Sequence, residues 1–360
     1  MKMKKIVLTG GGTAGHVMPN LALVSELLNS GYEIHYIGSY KGIEKSLVQN
    51  EKIHYHAIRT GKLRRYFDLK NFIDPFNVLI GIFQSIYLMI KINPSIVFSK
   101  GGFVSVPVII AAWLKRIPSI THEGDVTIGL ANKICIPFVK KVCTTFKSAT
   151  KFLPESKAVY TGLPIRKEIT SGVKDIGYEL CGFNSKTPVI LVLGGSLGSV
   201  NINKNIREIL NKLLEEFQVA HICGKGNIDN SLLGLNGYKQ WEFVQKELPH
   251  LFSIADIVIS RSGTNSVFEL LALKKPTLFI PLSTNASRGE QVLNAEYVVN
   301  NGFGQMLTEK NLNYDVLLKE IKNLFERKSM YIECLNNTSA PDGTAEIIRL
   351  INAFSRDNQL

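Results

Sequence analysis

Ile6-Val7-Leu8-Thr9-Gly10-Gly11-Gly12-Thr13-Ala14-Gly15-His16 takes the chain from an apolar run straight into a glycine cluster. Beyond it Leu21, Leu23, Val24, Leu27 and Leu28 recur at helical spacing, so the segment reads strand, glycine turn, helix. The same opening returns midway: Val189-Ile190-Leu191-Val192-Leu193 runs into Gly194-Gly195-Ser196-Leu197-Gly198 and then an amphipathic stretch from Ile202 to Leu214. A chain that begins its fold twice is read as two α/β domains, each able to bury its own core in 360 residues.

Between the openings, strands are expected at Glu33 to Ile37, Ile96 to Phe98, Ser119 to Thr121 and Val142 to Thr144, with helical patterns separating them. In the second half they are expected at Val219 to Cys223, Ile257 to Ser260 and Thr277 to Ile280. Strands alternating with helices imply parallel sheets, hence two doubly wound, Rossmann-like domains whose loops at the strand carboxyl ends face a central cleft. Gly162-Leu163-Pro164-Ile165-Arg166 interrupts regular structure and is the expected hinge, giving domains 1–163 and 164–340.

Composition, 45% hydrophobic and 20% charged, is that of an ordinary globular protein. A formal charge of +12 asks for an anionic partner: nucleic acid, a phosphorylated small molecule or an acidic membrane face. Nucleic acid is set aside, because no zinc-ligand spacing, basic zipper or RNA-binding signature occurs. Cys135, Cys143, Cys181, Cys223 and Cys334 form no C-x-x-C pair, which fits a reducing compartment, and the Met1-Lys2-Met3-Lys4-Lys5 start lacks the apolar region of a secretory signal. A cytosolic location is expected. The apolar stretches Val78 to Ile92 and Val104 to Leu114 fall short of the roughly 18 to 20 residues that spanning needs. Two readings of the first remain: a core helix, or an interfacial helix presenting Leu79, Ile82, Phe83, Ile86 and Tyr87 to an anionic membrane, with Lys62, Arg64, Arg65, Lys140 and Lys141 as head-group contacts.

Gly10-x-Gly12-x-x-Gly15 satisfies the dinucleotide fingerprint, but the second strand ends Tyr36-Ile37-Gly38-Ser39 where a ribose-binding acid is required, which removes the second support for an oxidoreductase. What remains is a turn bringing backbone N–H groups to a polar ligand, with His16 beside it as a candidate for proton transfer; simple packing of the strand against its helix is the alternative. The second glycine loop has no lysine, which excludes an ordinary P-loop and leaves a diphosphate held by main-chain donors and serine hydroxyls. Ser260-Arg261-Ser262-Gly263-Thr264-Asn265 leads into a helix carrying Glu269, either a dipole-complementing acid or an acceptor for vicinal ribose hydroxyls. The polar run Ser287 to Ala295 is either a sugar-reading segment or a solvated helix start.

Taken in order, Gly10 to His16, Ser99-Lys100-Gly101-Gly102-Phe103-Val104-Ser105, His122-Glu123, Gly194 to Gly198, Ser260 to Gly263, and Gln291 with Asn294 resemble the MurG family nearly end to end. The resemblance implies a GT-B fold and inverting transfer of N-acetylglucosamine from UDP-N-acetylglucosamine to the 4-hydroxyl of the N-acetylmuramyl unit of undecaprenyl-pyrophosphoryl-MurNAc-peptide (lipid I), giving lipid II for peptidoglycan synthesis. It places the acceptor and the cytoplasmic membrane face with the first domain, the donor with the second, and a final helix within 341–360 back on the first. By the same resemblance Glu269 takes the uridine ribose, the Val244 backbone the uracil, and Ser196 with Gly195 and Leu197 the diphosphate. Arg166, Ser262, Gly263, Thr264, Gln291 and Asn294 complete the donor side. Thr13, Ala14, Gly15 and Asp125 approach the donor sugar, with His16 or Glu123 as base. Three positions depart from the pattern: Gly124-Asp125 stands where many members have glutamine and asparagine, and Leu163 where asparagine is common.

No cofactor is implied, and with no Asp-x-Asp pair in the chain, helix N-termini and backbone donors are expected to stabilise the departing diphosphate without metal. The rival readings are another GT-B transferase acting on a membrane lipid such as diacylglycerol, a UDP-N-acetylglucosamine epimerase, and a non-enzymatic sugar-nucleotide sensor that would leave His16 and Glu123 without a task.

Overall fold

The computed structural model describes residues 3–49, 51, 53–61, 70–195, 198–283, 289–338 and 342–356, with side chains omitted at 70–73. Two compact units emerge, Met1–Arg166 with Pro341–Leu360, and Lys167–Ala340. In the first unit β1 (Lys4–Thr9), β2 (Tyr32–Ser39), β3 (His54–Ile58), β4 (Ile96–Ser99), β5 (Ser119–Glu123), β6 (Lys141–Thr144) and β7 (Ala158–Tyr160) form one parallel sheet in the order β3-β2-β1-β4-β5-β6-β7. In the second, β8 (Val189–Leu193), β9 (Gln218–Ile222), β10 (Tyr238–Trp241), β11 (Ile257–Ser260), β12 (Thr277–Phe279) and β13 (Gln305–Met306) follow the order β10-β9-β8-β11-β12-β13, again all parallel.

Each sheet reverses its winding direction once, at β1/β4 in the first unit and at β8/β11 in the second. Such a reversal opens a crevice at the strand carboxyl ends, because the helices on either side leave in opposite directions. Both glycine loops follow the strands that border these crevices. Their placement comes from continuous apolar runs: Ile6, Leu8, Ile34, Tyr36, Phe98 and Ile120 are buried in one core, and Ile190, Val192, Ile257, Ile259 and Leu278 in the other. Helix Gly343–Phe354 adds Ile347, Leu350 and Ile351 to the first core and is fixed there by Tyr32, whose hydroxyl donates to Asn352 Oδ1 at 3.0 Å.

The helix Lys70–Ile92 joins β3 to β4, both strands of one parallel sheet, so it must return along the face of that sheet. The apolar stretch is longer than the sequence reading of Val78 to Ile92 allowed: by length and composition alone Asp74–Ile92, with mean hydropathy 1.5, could cross a bilayer, and the 22% of it that is buried is too little for a core helix. Its inner side packs on helix Ser105–Leu114 and comes so close to the chain after β3 that a Cβ on Gly81 would stand 2.2 Å from the Arg59 carbonyl. Its outer side leaves Phe76, Leu79, Ile80, Phe83, Tyr87 and Ile90 exposed. Of the five residues expected on an interfacial face, Leu79, Phe83 and Tyr87 are exposed, whereas Ile82 and Ile86 are half-buried. This helix is thus neither wholly core nor wholly surface.

Candidate active site

In the first unit the glycine loop is fastened from below by side chains that the loop itself does not contain. Tyr36 donates to the Gly10 carbonyl at 2.7 Å, and Asn20 Nδ2 donates to the Thr9 carbonyl at 3.0 Å. Glu44, fully buried, accepts from the Ser39 amide and hydroxyl through Oε1 and from the Gly12 amide through Oε2. Gly11 and Gly42 are required by this carboxylate, since a Cβ on either would stand within 2.7 Å of Glu44 side-chain atoms. Glu44 therefore occupies the acid position near the loop, but its oxygens are taken by protein donors, which closes the dinucleotide reading from the structural side as well.

His16 ends the short 3-10 turn Ala14–His16 and is half-buried, with Nδ1 3.2 Å from the Lys100 carbonyl. A carbonyl only accepts, so Nδ1 carries the proton and Nε2 is the basic nitrogen. Thr13 and Gly15 are exposed and Ala14 half-buried on the same turn.

Glu123 behaves differently. Its Oε1 accepts from the Asp125 amide at 3.1 Å, and its Oε2 from the Gly129 amide at 2.8 Å and Asn132 Nδ2 at 2.9 Å. Asn132 is itself oriented by Thr121, whose hydroxyl donates to Asn132 Oδ1 at 2.8 Å. Burial and the neighbouring Asp125 charge raise the Glu123 carboxyl, while these donors oppose the rise. With both oxygens engaged, Glu123 clamps the turn that carries half-buried Asp125. Its partner His122, also buried, reaches the Gly162 carbonyl through Nε2 at 2.8 Å, and burial holds its imidazole neutral.

A cavity of about 750 Å³ opens beside the loop, lined among others by Gly12, Tyr40, Lys41, Arg59, Asn77 and Phe103. It joins the glycine loop to the first described turns of helix Lys70–Ile92 and presents two cations together with aromatic surface.

In the second unit Gly194, Gly195 and Gly198 lead into helix Val200–Glu208, capped by Ser199, whose hydroxyl accepts from the Ile202 amide. Gly198 has φ 78°, and a Cβ there would stand 2.1 Å from the Cys223 carbonyl, so only glycine fits. Ser196 and Leu197 lie outside the described residues. Arg261 braces this loop: Nη2 donates to Ser199 Oγ at 2.7 Å and Glu309 Oε1 at 2.6 Å, and Nη1 to the Ile280 carbonyl at 3.0 Å. Burial would raise the Glu309 carboxyl, but Arg261 and the Ser283 amide hold it below the usual range.

Gly263 precedes helix Thr264–Ala272, which carries half-buried Glu269. Ser262, Thr264, Gln291 and Asn294 come together at its start. Asn294 Nδ2 donates to the Ser262 carbonyl and to Thr264 Oγ1, both at 3.1 Å, and Ser262 Oγ donates to the Gln291 carbonyl at 2.8 Å. Gln291 Oε1 accepts from the Leu282 amide at 3.0 Å. Ser262 and Asn294 are fully buried, so they set the helix mouth rather than line it, whereas Thr264 and Gln291 are half-buried. Val244 is buried behind exposed Phe243, and half-buried Arg166 closes the main segment of the first unit.

Two doubly wound α/β units, each with a glycine loop and a polar helix mouth at its reversal point, have the architecture of GT-B glycosyltransferases. Residues 6–144 match the glycosyltransferase family 28 N-terminal domain and residues 189–347 the glycosyltransferase family 28 C-terminal domain. The chain belongs to glycosyltransferase family 28. It is 52% identical over 357 residues, covering 99% of this chain and 100% of the relative, to the UDP-N-acetylglucosamine--N-acetylmuramyl-(pentapeptide) pyrophosphoryl-undecaprenol N-acetylglucosamine transferase of Clostridium novyi (strain NT). Among solved structures, Acinetobacter baumannii MurG superposes with TM-score 0.77 at 24% identity, covering 97% of this chain and 99% of that one. S. aureus MnaA in complex with UDP superposes with TM-score 0.70 at 15% identity, covering 98% and 97%. These two likenesses establish the fold.

The sequence reading did not find Glu44 or Asn132 and gave Lys100 no role, although these side chains hold or underlie the first unit's loops. Nothing in a sequence marks a lone glutamate five residues past a strand. Gly38 and Gly42, where a Cβ would meet the Glu44 side chain, are the local hints that something needs room there.

Proposed function

We propose that this glycosyltransferase moves N-acetylglucosamine from UDP-N-acetylglucosamine to the 4-hydroxyl of the N-acetylmuramyl unit of undecaprenyl-pyrophosphoryl-MurNAc-peptide, with inversion at the anomeric carbon. The observation that carries this is identity above one half with a transferase of that name along the whole of both chains. His16 Nε2 removes the proton from the acceptor hydroxyl, the hydroxyl oxygen attacks the anomeric carbon, and the bond to the UDP oxygen breaks. Charge collects on the diphosphate, where amides of the Gly194–Gly198 loop and the N-terminus of helix Val200–Glu208 stabilise it without desolvating a new counter-ion. Glu269 accepts the ribose hydroxyls, Gln291, Thr264 and Arg166 the remaining donor groups, and Thr13, Ala14, Gly15 and Asp125 meet the donor sugar. Glu123, held by three N–H donors, acts as the clamp of the Asp125 turn rather than as the base.

The protein works as a peripheral protein at the cytoplasmic face of the membrane, where the lipid-linked acceptor resides. Phe76, Leu79, Ile80, Phe83, Tyr87 and Ile90 offer the apolar stripe for that contact, and exposed Lys140 a cation. Lys62, Arg64 and Arg65 lie outside the described residues, and Lys141 Nζ donates to the Ser156 carbonyl. Roles in cell shape and division follow from the reaction product. Turnover of labelled UDP-N-acetylglucosamine with the muramyl lipid, set against diacylglycerol as acceptor, tests the reading: transfer to diacylglycerol alone overturns it.

A further inference from the structure

Lys100 follows β4 at the winding reversal and is only 2% exposed. Among the described residues no carboxylate oxygen lies within 4 Å of Nζ and no acceptor is hydrogen-bonded to it. The backbone is fixed at both ends, the amide donating to the Thr9 carbonyl at 2.9 Å and the carbonyl accepting from His16. The side chain runs under the turn Glu123-Gly124-Asp125, where a Cβ on Gly124 would stand 2.8 Å from Nζ. An isolated buried cation is costly, and burial pulls Lys100 down to about 8, partly countered by Glu123, then Asp125, then Cys143. Around it stand Glu123 and His122 of β5, Asp125 of the turn, Cys143 of β6 and the ring of His16.

We propose that Lys100 is a positioning residue that acts through Asp125: its ammonium beneath the turn neutralises the carboxylate standing where many members of the family carry asparagine, so the turn meets the anionic donor as an uncharged hydrogen-bonding surface. This rests on the assignment of Asp125 to the donor sugar under the function proposed above. Asp125 and Lys100 then act as one charge pair, and loss of the Lys100 charge alone leaves the carboxylate facing the donor. Gly124 belongs to the same arrangement, because a side chain there would crowd the ammonium.

The experiment is a double-mutant cycle with Lys100→Met, which keeps length and apolar packing while removing the charge, and Asp125→Asn. Lys100→Met is expected to raise the KM for UDP-N-acetylglucosamine about tenfold with a smaller effect on kcat, and Asp125→Asn added to it to restore KM to within about threefold of the parent. Lys100→Arg keeps the KM. Additive effects, or an unchanged KM in Lys100→Met, overturn the proposal. A lysine-selective NMR titration reads the same coupling without turnover: Lys100 titrates near pH 8 in the parent and lower in Asp125→Asn. A Lys100 titration indifferent to Asp125→Asn overturns it even if Lys100→Met fails to fold. Should the parent not use the muramyl lipid at all, the function reading falls while the titration still decides the pairing.

Discussion

At His16 the contact of Nδ1 with the Lys100 carbonyl places the proton on Nδ1 and makes Nε2 the basic atom. His16→Ala is expected to lower kcat by roughly a hundredfold or more while UDP affinity stays within about twofold, measured by turnover and by calorimetric titration with UDP. Glu123 gives the opposite signature. Glu123→Gln places an NH2 group against N–H donors and is expected to lower unfolding free energy by about 1 to 3 kcal/mol in denaturant titrations. A variant of unchanged stability that has lost turnover would instead make Glu123 the base. On the donor side, Glu269→Ala is expected to weaken productive donor binding by about 1.5 to 3 kcal/mol, the range for hydrogen bonds to a charged group. Unchanged donor kinetics in a folded variant would remove Glu269 from the ribose.

Elements divide by where they lie in the sheets. Every strand read from the sequence is internal to its sheet, and the four not read, β3, β7, β10 and β13, are the four edges. Internal strands are covered on both faces and by neighbours on both sides, so they appear as continuous apolar runs. An edge strand such as His54-Tyr55-His56-Ala57-Ile58 carries polar groups and gives no such signal. The helix Lys70–Ile92 was ambiguous for a related reason: apolar residues cover most of its circumference, and only the packing of Gly81, Ser85 and Met89 inward shows which side faces out. Leu79→Ser with Phe83→Ser, both at exposed positions, is expected to abolish sedimentation with anionic vesicles while the melting temperature changes little. Retained vesicle binding would place the membrane contact elsewhere.

Across the whole molecule, titration behaviour follows from buried neutral histidines. His221 bridges Asn203 Oδ1 and Tyr238, and burial, reinforced by the Arg207 charge, lowers it to about 3. His35, lowered to about 4 first by burial and then by His56, adds to this. Between these values and the unfolded value near 6.5 the unfolded chain binds protons that the native state does not, so stability rises with pH through this window and falls on acidification. Each such histidine contributes a slope of about 1.4 kcal/mol per pH unit. His221→Gln is expected to flatten the decline between pH 6 and 4 in buffered thermal melts, and a decline as steep as the parent's would mean that His221 is already protonated there. Diphosphate stabilisation by backbone amides carries one further expectation: turnover persists in excess chelator, and complete loss restored by magnesium would show that a metal supplies that charge.

The sequence by itself determined the architecture and the family, because apolar runs ending in glycine loops dictate parallel strands with anion-facing turns, and because the motifs occur in one order along the chain. It also supplied the residues at both winding reversals, from Gly10 to His16 and from Gly194 to Ser199. Tertiary structure alone decided which polar residues around them face inward. Ser262 and Asn294 are sealed against each other, Glu123 is spent on three N–H donors, and Lys100 lies under the Glu123-Gly124-Asp125 turn with no hydrogen-bonded or ion-paired partner among the described residues. The reason is physical: a strand or a turn is specified by neighbours in sequence, whereas the burial of a polar side chain, and a pairing such as that of Ser262 with Asn294, depend on segments tens of residues away, which meet only when the sheet is assembled.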